Sequence, residues 1–271
     1  MEHRTEIGTL GEFGLIKRLA APFAKHQAWT KLGIGDDAAI FKTNNQVVHS
    51  TELFIEGVHF DLAYTPLPHL GFKVVSAALS DIAAMNAIPK QVTIGVGLSN
   101  RFSVEAVESF YEGVQQACQE FGVDLVGGDT TASQSGLIIS VNVLGEIEAA
   151  SIVKRSGAKP NDVICVTGDL GGAIMGLQSL DREKQVFLAN PGMQPELEGK
   201  SYVIMRQLKP VARFDIIHEL KSLGVVPTSM IDCSDGLSSE LIHLSKASNV
   251  GVRIFEKNIP IDDETYLVAT E

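Results

Sequence analysis

Apolar residues recur at helical spacing in three stretches of the first half of the chain. These stretches cover residues 12–24, 70–87 and 104–121, and each predicts a helix with one apolar face. Pro22 and Pro89 mark the ends of the first two helices, and Ser103 is the predicted N-cap of the third. On the second helix Asp81 falls on the apolar face, which is a costly place for a carboxylate without a partner.

Short apolar runs predict strands between these helices. In the first half the runs are Ala38–Phe41, Val47–Thr51, Val92–Leu98, Asp124–Val126 and Leu137–Val143. The turn-forming residues 43–45 favour a hairpin between the first two runs. The first half is therefore rich in both strands and helices.

The second half of the chain repeats this mixture with shorter elements. Strands are predicted at Val163–Val166 and Met230–Asp232. Helices are predicted from Ala173, within residues 206–223 after a break at Pro210, and after a cap at Ser234 or Asp235. Strands and helices alternate without a regular βαβ rhythm, so we predict an α+β fold with mixed or antiparallel sheets. We place a boundary near residue 150, between an N-terminal domain of residues 1–149 and a C-terminal α/β domain of residues 150–271.

Composition narrows the possible functions. The chain has 271 residues and 45% apolar content, enough for a sizeable core. Its 22 Lys and Arg against 33 Asp and Glu give a net charge of −11, so we expect neither a nucleic acid nor a membrane as partner. Anionic substrates would be repelled unless metal ions intervene.

The compartment follows from other features of the sequence. No secretory signal and no 18-residue apolar run is recognisable, so we expect a soluble protein. The three cysteines, Cys118, Cys165 and Cys233, form no CxxC pair. We read them as core residues of a protein in a reducing cytoplasm.

Five short acidic motifs stand at predicted strand ends or helix edges. They are Gly35-Asp36-Asp37, Ser50-Thr51-Glu52, Ser80-Asp81, Gly128-Asp129-Thr130-Thr131 and Asp232-Cys233-Ser234-Asp235-Gly236. Each offers the hard oxygen ligands that Mg²⁺ accepts. A single motif of this kind is typical of a turn or helix cap, but five together predict a carboxylate cluster. For Asp81, a shared metal ion and a buried hydrogen-bonded carboxylate are the two readings.

The sequence also limits how phosphate could be bound. It contains neither a Walker-type phosphate loop nor the motif set of protein kinases. Several Mg²⁺ ions could instead bridge a triphosphate to the carboxylates, and Arg155 could complement them or be a solvated surface charge. His59 could contact a substrate phosphate and Tyr111 could stack on adenine, while a structural role is the alternative for both. Glycines 168–172 could present helix N–H groups to an anion, which alone is a weak signal.

Seven segments, taken in order, resemble those of the thiamine-monophosphate kinase family. They are Gly33–Ala39, Ser50–Leu53, Glu56–Phe60, Ser80–Met85, Gly127–Thr131, Arg155–Pro160 and Asp232–Leu237. The resemblance spans nearly the whole chain, and the Gly-Val-His-Phe and Arg-Ser-Gly-Ala-Lys-Pro segments make it highly specific.

The resemblance implies a fold and a reaction. The fold is that of aminoimidazole ribonucleotide synthetase and selenophosphate synthetase, with N-terminal domains that pair into a dimeric barrel and ATP in the cleft between domains. The reaction is direct transfer of a phosphoryl group from the co-substrate ATP to thiamine monophosphate, the last step of thiamine diphosphate biosynthesis, by a cytoplasmic homodimer.

The resemblance also implies roles for individual residues. Several Mg²⁺ ions would be held by Asp37, Ser50, Thr51, Glu52, Asp81, Asp129, Asp232 and Asp235. ATP would contact Tyr111, Gly128, Asp129, Arg155 and Ser234, and the substrate phosphate would contact His59. Asp37, Asp81, Asp129 and Arg155 would be the catalytic residues.

Three features depart from the family pattern. Glu52 stands where the family usually has Asp, and Gly172 stands where a polar residue is common. The sequence also ends at Glu271 without the Gly-Gly-Glu-Asp-Tyr-Glu-Leu segment that normally follows, from which we expect a truncated or incomplete chain of a longer enzyme. The alternatives are another ATP-dependent enzyme of the superfamily, acting on a formylglycinamidine, selenide or carbamoyl group, and a non-catalytic module that binds Mg²⁺ and nucleotide.

Overall fold

A computed structural model describes residues 5–23, 27–34 and 38–271 of the protein, and for Glu12 and Phe13 it describes the backbone only. The chain divides into two compact units. The first comprises Met1–Ile152 and Val211–Gly224, and the second comprises Val153–Pro210 and Val225–Glu271. Residues 211–224 thus return to the first unit.

The elements follow one another along the chain as a mixture of helices and strands, which confirms the α+β prediction. In order they are α1 (Ile7–Ala20), β1 (Thr30–Leu32), β2 (Ile40–Phe41), β3 (Gln46–Ile55), α2 (Leu67–Ala84), β4 (Ile88–Leu98), α3 (Val104–Phe121), β5 (Asp124–Ala132), β6 (Ile138–Ile147), α4 (Gly172–Ala189), α5 (Ser201–Leu208), α6 (Phe214–Leu223), α7 (Leu237–Ser248) and α8 (Asp263–Thr270). Short 3₁₀ turns lie at Ala149–Ser151 and Glu256–Asn258. None of the described helices is both long and apolar enough to cross a membrane.

A four-stranded mixed sheet with the order β3-β6-β4-β5 organises the first unit. Strand β6 pairs antiparallel with β3 and β4, and β4 pairs parallel with β5. Helix α2 packs on this sheet and α3 packs on α2. Phe72 and Leu79 of α2 and Ile94 and Ile139 of the sheet are fully buried, and each such side chain contributes about 1.5–3 kcal/mol.

Helices α2 and α3 approach each other closely because each carries a glycine at the crossing. A Cβ on Gly71 would lie 2.0 Å from the carbonyl oxygen of Phe110, and one on Gly113 would lie 1.8 Å from that of Pro68. The predicted cap of α3 is confirmed, since the Ala106 N–H donates to the Ser103 hydroxyl at 3.3 Å. The two helices therefore pack closely against each other.

The predicted hairpin between the first two strands is wrong. Strand β2 pairs with β1, and β3 pairs along its whole length with β6. The stacked rings of Trp29 and Phe41, 5.5 Å apart, stabilise the short β1–β2 pair. Pro89 lies inside β4 rather than in a linker, at a register shift between Pro89 and Gln91 that accommodates a residue without an N–H group.

Several predictions for the second unit need correction. The segments 163–166 and 230–232 are not strands, because neither forms a ladder of backbone hydrogen bonds with a neighbouring segment in this unit, every residue of which is described. Residue Gly236, not Ser234 or Asp235, is the N-cap of α7. The predicted break at Pro210 within residues 206–223 is confirmed, since α5 ends at Leu208 and the helix predicted after the break is α6.

Helix α6 belongs to the first unit through its contacts with α2 and α3. The Ala212 N–H donates to the Ser76 hydroxyl at 2.8 Å, and the rings of Phe214 and Phe121 lie 5.9 Å apart.

Of the three free cysteines only Cys118 is buried. The prediction that all three are core residues is therefore wrong for Cys165 and Cys233, which are exposed.

Candidate functional site

Ser50 and Asp81 form the best-defined contact among the predicted metal ligands. Ser50 lies in the middle of β3, and Asp81 lies near the end of α2. The Ser50 hydroxyl donates a hydrogen bond to Asp81 Oδ2, and both residues are half-buried. The carboxylate thus has a hydroxyl partner, so its position does not by itself require a metal ion.

The motif Ser50-Thr51-Glu52 is divided between the two faces of the sheet, because successive strand residues point to opposite sides. Glu52 shares the α2-facing side with Ser50 and is half-buried, whereas Thr51 is exposed on the other side. The Thr51 hydroxyl donates to Asn142 Oδ1 at 2.8 Å. Ser50, Glu52 and Asp81 are therefore the predicted ligands that the fold places on one side.

Gly128 and Asp129 lie on β5, at the opposite edge of the sheet from β3. A Cβ on Gly128 would stand 2.0 Å from the carbonyl oxygen of Ile94, so only glycine fits this close approach. Asp129 is exposed, and its Oδ1 accepts the Thr130 N–H at 2.9 Å. These two residues are thus held by the sheet but apart from the Ser50–Asp81 contact.

The register of the sheet sets the separation between Glu52 and Asp129. Glu52 pairs with Val141, Val141 with Ile94, and Ile94 with Gly128, the residue before Asp129. Three strand spacings amount to about 14 Å. One copy of the sheet therefore does not bring these two carboxylates to a single ion.

The described residues fit a Mg²⁺ site in which water and substrate phosphates supply some of the ligands. They do not fit a site in which protein side chains supply all of them. No group of three or more His, Cys, Asp or Glu side chains in the described part of the chain is arranged to hold a metal ion. Mg²⁺ usually keeps several waters and takes one or two carboxylates together with substrate phosphates. Half-buried Asp81 and Glu52, with the Ser50 hydroxyl beside Asp81, fit that donor set. Asp37 lies outside the described residues.

His59 lies in a tight turn directly after β3. The Ile55 N–H donates to His59 Nδ1 at 3.0 Å, and the imidazole contacts the edge of the Phe54 ring. Because Nδ1 accepts, the proton of the neutral ring is on Nε2, and the side chain is exposed. His59 can therefore donate a hydrogen bond to an anion in solution.

The same turn carries an ion pair that sequence reasoning missed. Arg101 forms a salt bridge with Glu56, and the Glu56 carboxylate also accepts the Leu137 N–H at 2.9 Å. Half of the Arg101 side chain, 51%, remains exposed. These residues are far apart in sequence, so no local pattern could have signalled the contact.

The surroundings of Tyr111 favour the structural reading. Its ring meets the Phe110 ring edge-on at 5.3 Å and the Phe23 ring at 6.3 Å. Burial raises the pKa of Tyr111 to about 12, because the phenolate would lose solvation. A contact with adenine remains a prediction.

In the second unit, hydroxyl groups tie the Arg155 turn to two other segments. The Arg155 carbonyl oxygen accepts from the Ser229 hydroxyl at 2.7 Å and from the Ser248 hydroxyl at 3.1 Å. The Met230 N–H donates to the Lys154 carbonyl oxygen at 3.1 Å. The turn therefore lies beside the segment that leads into Asp232, and Arg155 itself is exposed.

The loop from Asp232 to Asp235 has mostly exposed side chains. Ser234 and Asp235 are exposed and Asp232 is half-buried. The Asp235 N–H donates to Glu240 Oε1 at 2.9 Å, so the glutamate of α7 holds the loop backbone. Although the residue is exposed, partial desolvation of its thiol, with the nearby charges of Glu240 and Asp232, raises the pKa of Cys233, which leaves the thiol a poor nucleophile.

Comparison with known proteins gives consistent results. Residues 35–147 match the family described as AIR synthase related protein, N-terminal domain. The chain is 34% identical over 257 residues to thiamine-monophosphate kinase of Bacillus subtilis (strain 168), covering 94% of this chain and 76% of that protein. The kinase of Aquifex aeolicus (strain VF5) gives the same identity and the same coverage.

Solved structures of thiamine-monophosphate kinases are also similar to this chain. The thiamine-monophosphate kinase of Stenotrophomonas maltophilia K279a superposes with a TM-score of 0.79 at 30% identity, over 97% of this chain and 79% of that one. A structure described as AaThiL complexed with AMPPCP and TMP gives a TM-score of 0.73 at 30% identity, over 97% and 78%. The hydrogenase maturation protein HypE, at 17% identity and a TM-score of 0.71, shares the fold alone.

Proposed function

The chain belongs to the thiamine-monophosphate kinase family, and on this basis we propose that it transfers the terminal phosphoryl group of ATP to thiamine monophosphate, giving thiamine diphosphate and ADP. The observation that carries this proposal is the similarity over 97% of the chain to a structure that holds AMPPCP and TMP together. AMPPCP is an analogue of ATP, so that relative binds a donor and an acceptor at once. Transfer directly between the two ligands needs no phosphoenzyme.

We assign the metal-binding role first to the side of β3 that faces α2. Ser50, Glu52 and Asp81 would hold Mg²⁺ there, with Asp37, Thr51, Asp129, Asp232 and Asp235 as the further ligands of several ions. When bound, Mg²⁺ neutralises phosphate charge and polarises the phosphorus that is attacked. The Ser50 hydroxyl orients the Asp81 carboxylate, which reduces the freedom that metal binding would have to remove. Asp37, Asp81, Asp129 and Arg155 would be the catalytic residues.

The remaining roles concern the two substrates. His59 would donate its Nε2–H group to the phosphate of thiamine monophosphate, since its Nδ1 already accepts the Ile55 N–H. Arg155 would contribute positive charge to ATP, and Tyr111, Gly128, Asp129 and Ser234 would also contact it. In a protein of net charge −11, these few donors and the metal ions must supply the attraction for the triphosphate.

We also propose a homodimer through the N-terminal residues 1–149. The sheet face opposite α2, which we call the open face, carries Val47, Thr51, Leu53 and Asn142; Val47 is 45% and Leu53 49% exposed. The edge strands β3 and β5 have unpaired outer sides in the described chain. The sheet of a second copy would cover the open face and the unpaired edges of β3 and β5.

Light scattering tests the dimer. The unmodified chain should give the mass of two copies at micromolar concentration, and Leu53→Lys should shift the mass towards one copy. Leu267→Lys, at a leucine of α8 in the second unit that is 61% exposed, is the control. A monomer mass for the unmodified chain that does not change with concentration would contradict the dimer.

Residues 150–271 would form the second functional domain. The free cysteines are consistent with a protein in a reducing cytoplasm.

The choice of phosphoryl acceptor distinguishes this function from the alternatives. The chain is incubated with Mg-ATP and, separately, with thiamine monophosphate, selenide, a carbamoyl donor or a formylglycinamidine ribonucleotide, and ADP is followed. We expect acceptor-dependent ADP only with thiamine monophosphate. ADP that depends on another acceptor would indicate another superfamily activity, and none with any acceptor would indicate a non-catalytic module.

A further inference from the structure

Helix α4 begins without a capping side chain. Its N-cap is Gly171, with φ of 90°, and no acidic residue lies in its first turn. The first bond within the helix is from the Met175 N–H to the Gly171 carbonyl at 3.1 Å, so the N–H groups of residues 172–174 have no acceptor in the described chain. An 18-residue helix with free N–H groups carries partial positive charge at this end.

Three buried side-chain atoms around the start of α4 also have no hydrogen-bond partner. They are Asp169 Oδ1, Arg206 Nε and Thr265 Oγ1. Thr265 is only 3% exposed, and its Oγ1 lies 3.3 Å from the point where a Cβ on Gly172 would stand. The Arg206 Cγ lies 3.2 Å from the same point. The side chains of α5 and α8 therefore meet at the first residue of α4.

The other polar atoms of this group are engaged, which holds the side chains in place. The Tyr202 hydroxyl donates to Asp169 Oδ2, and Arg206 Nη2 donates to the Asp169 carbonyl oxygen at 3.1 Å. Burial, with the contact with Asp169, raises the pKa of Tyr202 to about 12, so the hydroxyl stays a donor at neutral pH. Hydrogen bonds thus hold Asp169 and Arg206, and burial keeps the Thr265 hydroxyl from turning towards water.

The numbers of donors and acceptors without partners indicate which kind of ligand could form hydrogen bonds with them. Five donors have no acceptor: the N–H groups of residues 172–174, the Thr265 hydroxyl and Arg206 Nε–H. Two acceptors have no donor: Asp169 Oδ1 and the oxygen of the same Thr265 hydroxyl, which can also donate. One water molecule accepts two hydrogen bonds, whereas a tetrahedral oxyanion accepts several and, when protonated once, also donates one.

We propose that the start of α4 is a binding site for hydrogen phosphate or a phosphomonoester, formed by the N–H groups of residues 172–174 with Thr265, Arg206 and Asp169. The charge of Arg206 offsets that of Asp169, and the helix end adds partial positive charge. Residues Gly171, Ala173 and Ile174 are exposed, so a ligand can reach the N–H groups from solvent. Gly172 has no side chain to fill the space beside Thr265.

Nuclear magnetic resonance tests this site without the catalytic reaction. The ¹⁵N-labelled chain, free of Mg²⁺ and nucleotide, is titrated with inorganic phosphate at constant ionic strength, with chloride as the reference anion. We expect saturable shifts of the amides of residues 172–174. Separate titrations with thiamine monophosphate and ATP show whether free phosphate or an esterified phosphate is the better ligand.

Two matched variants of α8 test whether the Thr265 hydroxyl contributes to phosphate binding. Thr265→Val keeps the shape but removes a donor, and we expect at least tenfold weaker phosphate binding. Thr270→Val, also on α8, removes a hydroxyl that is bonded to the carbonyl oxygens of Tyr266 and Leu267, and should bind phosphate normally. If Thr265→Val does not fold, Ala173→Pro removes one exposed N–H donor in the first turn, where proline is tolerated.

Two results would overturn the site. Amide shifts that are linear and equal for phosphate and chloride would show an ordered water or no ligand, and equal affinity of Thr265→Val and the unmodified chain would exclude the proposed donors. Formation of thiamine diphosphate is measured separately. A chain that binds phosphate here but makes no product would contradict the proposed function and leave this site intact.

Discussion

The Ser50 hydroxyl donates to Asp81 Oδ2 and joins the middle of β3 to the end of α2, across 31 residues of sequence. Removal of the Ser50 hydroxyl should leave the Asp81 carboxylate less well oriented to bind Mg²⁺. For Ser50→Ala we expect half-saturating Mg²⁺ to rise about tenfold, as the loss of one hydrogen bond to a charged group implies. The measurement is a Mg²⁺ titration of turnover at saturating ATP.

Thr43→Val is the matched control for Ser50→Ala. The Thr43 hydroxyl also donates to a carboxylate in the first unit, that of Glu146, at 3.2 Å, but neither residue is a predicted ligand. Its loss should lower the free energy of unfolding by about 1 kcal/mol or less and leave the Mg²⁺ titration unchanged. If both variants shifted the titration equally, the effect of Ser50 would be on stability and not on the metal site.

Glu52 offers a test of how strictly the metal site depends on side-chain length. Its additional methylene can be absorbed by a χ rotation or a bridging water. We expect Glu52→Ala to lower turnover about 10²-fold or more, and Glu52→Asp to keep Mg²⁺ dependence and substantial activity. Full turnover of Glu52→Ala at low millimolar Mg²⁺ would remove Glu52 from the set of ligands.

Glu52 and Asp129 lie at opposite edges of the sheet, so they should act independently within one copy. We expect the losses of transition-state stabilisation in Glu52→Ala and Asp129→Ala to add in the double variant within about 0.5 kcal/mol. The kcat/KM values of the four proteins give this coupling. A coupling well above that figure would mean that the two carboxylates act together, either on one ion or through separate ions bound to the same triphosphate.

Tyr111 should affect stability at high pH. Burial raises its pKa from 10.0 to about 12, so between these values the folded protein binds more protons than the unfolded chain. The stabilisation is therefore present below pH 10 and is lost as the pH rises towards 12. The free energy of unfolding of Tyr111→Phe should fall less steeply over this range in urea titrations, while equal slopes would contradict the assignment.

The same variant shows whether the hydroxyl of Tyr111 contributes to ATP binding. Tyr111→Phe keeps the ring contacts with Phe110 and Phe23, so we expect ATP affinity to stay within about twofold if the ring alone contacts adenine. Calorimetry with Mg-ATP measures this. A tenfold weaker affinity would instead assign the contact to the hydroxyl.

Features determined by local pattern were predictable from sequence. The Ser103 cap depends on one side chain and the N–H three residues later, and the helical period correctly placed Asp81 on α2. The period also placed Asp81 on the apolar side of that helix, but it could not show that Ser50, from another element, reaches the carboxylate.

Features that depend on distant segments were not predictable in this way. The pairing of β3 with β6, the salt bridge between Glu56 and Arg101, and the return of α6 to the first unit all join residues far apart in sequence. Segment 163–166 has the composition of a strand, but a strand also needs a neighbour with which to share hydrogen bonds. The glycines at 168–172 suggested anion binding only weakly until Thr265 and Arg206 were found beside them.

A single-turnover experiment followed by ³¹P resonance tests the central claim most directly. The chain is mixed in excess with Mg-ATP and thiamine monophosphate, and the phosphorus signals of all species are followed together. We predict that thiamine diphosphate and ADP appear at the same rate and in equal amounts, that EDTA abolishes both, and that Asp81→Asn slows both about 10²-fold or more. ADP and free phosphate without thiamine diphosphate, or product formation that EDTA leaves unchanged, would contradict the account.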